Sequence, residues 1–280
     1  MNTNISYRVV TDLAAISDIV HLQEQVWAAN VVTSLPQLVA AIHHGGVVIG
    51  AFAEDVVVGF CYGFPGFHNG EIYLFSHMMG IDQAYRDLGI GRQLKFEQRT
   101  WALTHGYTKI RWTFDPLEAR NAYLNIMKLG GYVDTYIEAY YGEMSDPINK
   151  GLPTDRFLLE WDLHAKSVEQ AAQGQSLADP AWNSYPSLVH FEPALGGVFA
   201  RPLGFYQKDF AQSLQGNEDG FLLPVPVNIH SIKQQQPELA KEWRFALRHA
   251  CTEAFQNGCR ITGMLRREGP VHAYVLQRQT

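Results

Sequence analysis

Cysteine is scarce. Cys61, Cys251 and Cys259 are the three in 280 residues; they cannot pair completely and have no metal-ligand spacing. A disulfide scaffold and a cysteine-held zinc are therefore excluded, and the thiols are expected to be reduced and buried. No stretch approaches the ~20 apolar residues that a bilayer demands. The amino terminus, MNTNISYRVV, has neither a basic flank nor a long apolar core, so a cytoplasmic protein is expected, with no membrane partner. Positive charge is not in excess: the formal net charge is -6, which argues against nucleic acid as a partner. His43 and His44 are adjacent, so on a helix they point about 100° apart; no third ligand is near, and no metal is expected.

What is present suits an ordinary globular protein, with 46% hydrophobic and 18% charged residues and enough length for one elaborate domain or two modest ones. The most informative stretch is Leu74 to Gly106. In it an apolar run meets Arg86, Asp87, Leu88, Gly89, Ile90 and Gly91, and then a helical pattern. Glycine permits positive φ and leaves backbone N–H groups uncovered, and a helix start adds free N–H groups and the positive end of its dipole. The turn thus reads as a phosphate cradle, its N–H groups running from Leu88 to Arg92, with a basic patch of Arg86, Arg92, Lys95 and Arg99 around it.

Other cradles fit less well. A P-loop is excluded because no Gly-Lys-Ser/Thr follows, and the dinucleotide fingerprint fails at its third glycine, where Leu94 stands. Asp115, at the spacing of a ribose-binding carboxylate, keeps a nicotinamide-nucleotide oxidoreductase open as an alternative.

Along the chain, Ile5–Val10 reads as a strand, followed by a helix capped by Asp12 and a second helix begun by Ser34 and Pro36. Val47–Ala53 and Val56–Phe64 form a hairpin through Glu54 and Asp55, and Pro65 to Gly70 reads as a loop. Glu71–Ile81 leads into the cradle; Lys109–Phe114 follows its helix. Pro116 then sets up a helix from about Leu117 to Leu129. Val133–Tyr141 and Arg156–Leu163 are further strands. Residues 166–187 lack periodicity and read as a linker. Proline-bearing edge strands are expected at Ser187–Phe191, Val198–Phe205 and Phe221–Val227. A helix from Pro237 carries the stripe Leu239, Trp243, Ala246, Leu247, Ala250 and Ala254, and two closing strands follow, Arg260–Leu265 and Val271–Leu276.

Arg-x-x-Gly-x-Gly between a strand and a helix, with two helices after the first strand, resembles the GNAT family, the Gcn5-related N-acyltransferases. Asn121, Ala122, Lys128, Leu129, Gly130 and Tyr132 are similar to its second cofactor motif, although Ile126, Met127 and Lys128 stand where its tyrosine would fall. FDPLEARNAYLN, YYGEM and GLPTDRFLLEW look like an uncommon branch of predicted acyltransferases. Some of that branch are associated with N-acylamino-acid metabolism, including succinyl transfer. The resemblance covers about residues 5–163. It implies an α/β (α+β) fold with a mixed, largely antiparallel sheet flanked by helices. Residues 1–164 would be an acyl-CoA-binding domain, and 165–280 a smaller α+β extension. The match of LRHACTEAFQNGCRITGM to LKFEQRTWALTHGYTKIRW makes a degenerate half-repeat one reading of that extension.

The resemblance also implies acetyl-CoA or another short acyl-CoA as co-substrate, and an amine as acceptor. Backbone groups at a bulge formed by Met79, Gly80 and Ile81 would hold pantetheine and polarise the thioester, with Asn121 on the pantetheine arm. His77 is the first candidate to take the amine proton, with Glu143 and Asp115 in reserve. Tyr141 could protonate the leaving thiolate in place of the missing helix tyrosine. Arg156 and Lys150 are candidates for a carboxylate of acceptor or donor. The competing function is a non-catalytic acyl-CoA sensor or scaffold. Edge strands and aromatic content also admit a homodimer.

Overall fold

The computed structural model describes residues 4–27, 32–142, 151–203, 214 and 218–279. They form two compact units, Met1–Trp112 with Trp161–Ala165, and Thr113–Glu160 with Lys166–Thr280.

The first unit contains β1 (Ile5–Val9), α1 (Leu13–Trp27), α2 (Leu35–His43), β2 (Val47–Ala53), β3 (Val56–His68), β4 (Glu71–Ile81), α3 (Ile90–Thr104) and β5 (Lys109–Phe114). The strands run in the order β1-β2-β3-β4-β5. The first three pairings are antiparallel, and β4 with β5 is parallel because α3 carries the chain back across. β2 is buried at every position, as a strand covered on both faces must be. Ile16 and Ile19 of α1 and Leu38 of α2 pack with Phe60 and Tyr62 of β3. Cys61 lies between those two and turns the other way, its thiol donating to the Leu94 carbonyl of α3 at 3.6 Å. Strand alternation thus assigns α1 and α2 to one face and α3 to the other.

Two expectations change here. Pro65 to His68 is strand rather than loop; β3 and β4 are closed by Asn69 and Gly70 alone, with φ of 50° and 81°. Positive φ at both central residues is the hairpin turn matched to strand twist, which explains Asn-Gly at this place. Lys95 is not part of a basic surface: it is 3% exposed. Its ammonium donates to Ser76 Oγ at 2.8 Å and Gln98 Oε1 at 3.1 Å and lies 3.5 Å from the centre of the Trp112 ring. The returning segment completes this core. Trp161 packs on Phe96 and Trp112, the Leu163 N–H donates to the Thr108 carbonyl, and Arg99 donates to the Leu163 carbonyl at 2.6 and 3.0 Å.

Burial pulls the Lys95 ammonium down to about 7, while the indole face and the two acceptors favour its charged form. With the folded pKa below that of the unfolded chain, the unfolded state binds more protons between about 7 and about 10.5, so stability rises with pH across that window. Denaturant unfolding at stepped pH is expected to show a slope of up to about 1.4 kcal/mol per pH unit. Lys95→Met is expected to flatten it.

The second unit contains α4 (Ala119–Tyr123), β6 (Tyr132–Ile137), β7 (Arg156–Asp162), α5 (Lys166–Ala172), β8 (His190–Ala194), β9 (Phe199–Leu203), β10 (Gly220–Pro226), α6 (Ile229–Gln235), α7 (Pro237–Gln256), β11 (Cys259–Leu265) and β12 (Val271–Arg278). Its strands run β7-β6-β11-β12-β10 with antiparallel pairing, and β8 pairs with β9 separately. Pro224 and Pro226 sit in β10, last in that order, where the ladder tolerates a missing donor. Every stripe residue of α7 is buried, and the indole N–H of Trp243 donates to the Ala200 carbonyl at 2.8 Å.

Several boundaries move. The helix expected from Leu117 begins at Ala119 and passes into a π turn over Leu124–Lys128. The strand expected to reach Tyr141 ends at Ile137, and the stretch taken for a linker holds α5. Among the described residues of this unit a helix followed by an antiparallel hairpin occurs twice, α4 with β6–β7 and α6–α7 with β11–β12, and the hairpins meet at Val133 and Ile261. In strand order α7–β11 therefore matches α4–β6 rather than α3–β5, because β12 lies between β10 and β11 whereas β4 and β5 are neighbours.

One polar cluster of this unit left no sequence signal. Asp155 is fully buried. One oxygen accepts from the Ala139 N–H at 3.0 Å and Arg248 Nη2 at 2.7 Å, the other from the Tyr136 hydroxyl at 2.6 Å and Arg248 Nε at 2.9 Å.

Candidate active site

The end of β4 and the start of α3 build one side of the candidate site. In the β3–β4 ladder Tyr62 faces Met78 and Gly63 faces Ser76, so His77 is the extra residue of a bulge. The expected bulge at Met79, Gly80 and Ile81 is thus corrected: these three keep regular register with β3. Gly80 is small for another reason, since a Cβ there would meet Phe60 and Trp27 at 2.9 Å. On its other side β4 registers with β5, among the described residues, only at Leu74 with Ile110 and Phe75 with Arg111. The part of β4 from Ser76 onward is therefore open on that side to another hydrogen-bonding partner.

His77 is exposed as a residue, while the rings of Phe64, Tyr62 and Phe75 lie around its imidazole with centroids 5.7, 6.1 and 6.3 Å away. Loss of water lowers its pKa from the ordinary value, which favours a neutral imidazole at neutral pH.

After β4, Asp82 caps a short turn and accepts from the Ala84 N–H. Asp87 has a φ of 69° and Gly89 one of 80°, and Gly89 stands as the N-cap of α3 without a side-chain cap. Helix geometry gives the amides of Ile90 and Gly91 no acceptor within α3, so an anion at this end would meet N–H donors and the positive dipole end together. A Cβ on Gly91 would lie 3.2 Å from Ile81 and 3.4 Å from Met79, which brings the cradle against the end of β4. Arg86 is exposed and donates from Nε to the Ile81 carbonyl at 3.4 Å, and Leu88 is exposed. Arg92 lies over the Phe96 ring. Of the basic patch, Arg86 lies against the end of β4, whereas Lys95 donates to Ser76 and Gln98 and Arg99 to the Leu163 carbonyl.

The remaining candidates belong to the second unit. Asn121 is exposed on α4. Tyr141 is exposed, with its N–H donating to Thr154 Oγ1, its ring edge-on to Tyr140 at 4.7 Å and the Arg156 guanidinium 5.2 Å over it. Of Ile126, Met127 and Lys128, which stand where the resemblance lacks its tyrosine, Ile126 and Met127 are buried. Glu143 and Lys150 lie outside the described residues. Asp115 is engaged at both oxygens: Oδ1 accepts from the Leu117 N–H at 2.8 Å, and Oδ2 accepts from Arg244 at 2.6 Å with Arg156 at 3.7 Å. That makes it a counter-ion rather than a base or a ribose ligand. Arg156 is likewise buried and donates to the Asp155 carbonyl.

The sequence model of the acetyltransferase (GNAT) family matches residues 16–126. No curated protein matches the chain. Among solved structures, yncA of Salmonella typhimurium, determined with its cofactor acetyl-CoA, shares 16% identity at a TM-score of 0.48, covering 58% of this chain and 95% of its own. The ribosomal-protein-S18-alanine N-acetyltransferase of Escherichia coli shares 12% at a TM-score of 0.47, over 58% and 96%. The smu.2055 protein of Streptococcus mutans UA159 shares 20% at a TM-score of 0.46, over 57% and 99%. On the family match, residues 16–126 are a GNAT acetyltransferase domain.

Proposed function

We propose that the chain is an acyl-CoA-dependent N-acyltransferase that moves acetyl or another short acyl group, succinyl among them, to the amine of a small molecule such as an amino acid. The observation that carries this reading is the uncapped start of α3 at Gly89, set against the end of β4. The amides of Ile90 and Gly91 take the pyrophosphate, Arg86 and Arg92 add charge, and Asn121 contacts the pantetheine arm. Backbone groups at Met79, Gly80 and Ile81 polarise the thioester carbonyl. The amine nitrogen attacks the carbonyl carbon, His77 accepts its proton, and the carbon–sulfur bond breaks as Tyr141 protonates the departing thiolate. Glu143 is the reserve base. On this reading residues 1–164 form the donor-binding module and 165–280 its extension, which repeats the helix–hairpin pattern and acts with it in the cytoplasm.

His77→Gln is expected to lower kcat by about 10²-fold or more with donor affinity unchanged. Tyr141→Phe is expected to cost less, since a thiolate is a good leaving group near its reference pKa of about 8.5. Thiol release over an amine panel measures both, and an unchanged kcat removes the assignment concerned.

The missing helix tyrosine, with Ile126, Met127 and Lys128 in its place, favours a second reading, a sensor that binds acyl-CoA without turning it over. Calorimetric titration of acetyl-CoA, succinyl-CoA and NAD decides between classes. A CoA ester that binds and is consumed supports the enzyme, one that binds and persists across the amine panel supports the sensor, and NAD alone overturns both.

A further inference from the structure

The ladder between β4 and β5 ends where the Lys95 ammonium sits. Its registered pairs are Leu74 with Ile110 and Phe75 with Arg111. Continued by one residue it would pair Ser76 with Trp112, and both of these meet that ammonium: Nζ donates to Ser76 Oγ at 2.8 Å and lies 3.5 Å from the centre of the Trp112 ring. Leu74 and Ser76 are buried alternates of β4, and Ile110 and Trp112 of β5, so each pair shares one face of its strand. On the other side of β4 the bulge at His77 starts at the same step. A second residue of α3 holds the ammonium in place. Gln98 is fully buried and accepts from it at 3.1 Å. Gly63, opposite Ser76 in the β3 ladder, makes the room, since a Cβ there would stand 3.1 Å from Gln98 Nε2.

Packing alone does not call for a cation at this position. No carboxylate pairs with Lys95 among the described residues, and an apolar chain of the same length would fill the space without the loss of hydration that a buried charge suffers. What an apolar chain lacks is a donor with which to grip Ser76. We infer that Lys95 is a positioning residue for the acyl donor: tied to β4 through Ser76 and seated on Trp112 of β5, it keeps the two strands parted at the first step beyond their register and leaves the backbone of β4 from His77 to Met79 open to the donor. This rests on the acyl-CoA reading. Lys95 acts through Ser76 and reaches no reacting atom. The edge it keeps free carries N–H and C=O groups that need partners, and the amides of a pantetheine arm supply them as an added strand would.

Hydrogen exchange of the full chain, read over residues 76–81 of β4, separates this role from a purely structural one by its sign. Loss of packing alone speeds exchange, whereas closure of the fork slows it. Without ligand, Lys95→Met is expected to exchange over that segment at least about fivefold more slowly than the wild type. By calorimetry it is expected to bind acetyl-CoA at least about tenfold more weakly, with an unchanged circular dichroism spectrum and a Tm that is not lowered. Ser76→Ala keeps the ammonium but cuts its tie to β4. It is expected to move both readings in the same direction by smaller amounts, and it carries the test alone where Lys95→Met does not fold. Exchange that is faster or unchanged, or acetyl-CoA affinity equal to that of a wild type that binds it, overturns the inference and leaves the acyl-CoA reading standing. A wild type that binds no acetyl-CoA overturns both.

Discussion

A valine at position 91 is expected to lower acyl-CoA affinity by about 100-fold or more, roughly 2.7 kcal/mol. Even a single Cβ on Gly91 would approach Ile81 at 3.2 Å and Met79 at 3.4 Å. Valine adds two methyl groups on a stiff χ1, so it must either push the end of β4 or stand in the path of the phosphate. Alanine provides the control. It needs the same neighbours to give by only a few tenths of an ångström, and it gains about 1 kcal/mol of helix propensity over glycine. Gly91→Ala is therefore expected to keep most of the affinity that Gly91→Val loses. Calorimetry of both variants with acetyl-CoA measures the difference, and a valine variant that binds like the wild type sinks the cradle. Gly89 acts by a different route: an added Cβ there has open space, but φ is 80°, so a side chain at that position strains the backbone instead.

Asp155→Ala is expected to destabilise the fold by about 3–5 kcal/mol, the range for removing one partner of a buried charge pair. The deletion leaves the fork of Arg248 and the Tyr136 hydroxyl facing a void, and it removes the acceptor of the Ala139 amide. Burial pushes the Asp155 carboxyl upward, but donation from Arg248, Tyr136 and Ala139 outweighs it and holds the pKa below 3.8. The sign follows from linkage. A depressed folded pKa gives stability that is fully present above the unfolded value and is lost as pH falls through the folded one. Urea unfolding at neutral pH reads the loss directly. In an acid series the wild type is expected to lose stability below about pH 4, and Asp155→Ala to lose less over the same interval. Equal acid sensitivity of the two would show that Asp155 carries no linked protons.

The local features of the first unit were legible because each has a short-range cause. Asn69 and Gly70 specify a turn, Ser34 and Pro36 a helix start, and Gly89 a left-handed cap, each within a few residues. The α7 stripe was equally plain, since period and burial agree over five turns. Features that depend on distant chain were not legible. Lys95 reads as one more surface cation beside Arg92 and Arg99, and only the indoles of Trp112 and Trp161 show why it is buried. Nothing near Asp155 or Asp115 in the chain announces Arg248 or Arg244, about a hundred residues later. The bulge was assigned to Gly80 because glycine permits one, whereas the ladder gives it to His77 and uses Gly80 to admit Trp27 and Phe60.

The discontinuity of the first unit bears on how the chain acquires its structure during synthesis. The β3–β4 hairpin is sequence-local and can close on the microsecond scale once it emerges. The core under α3 cannot: Trp161 and Leu163 complete it, and they are translated after residues 113–160, which belong to the other unit. At about 5–20 residues per second, that interval lasts seconds. For that time the ammonium of Lys95 and the faces of Phe96 and Trp112 wait without their last neighbour. The nascent chain therefore has a period of exposed apolar surface, longest where synthesis pauses between residues 112 and 165, in which a chaperone has most to hold.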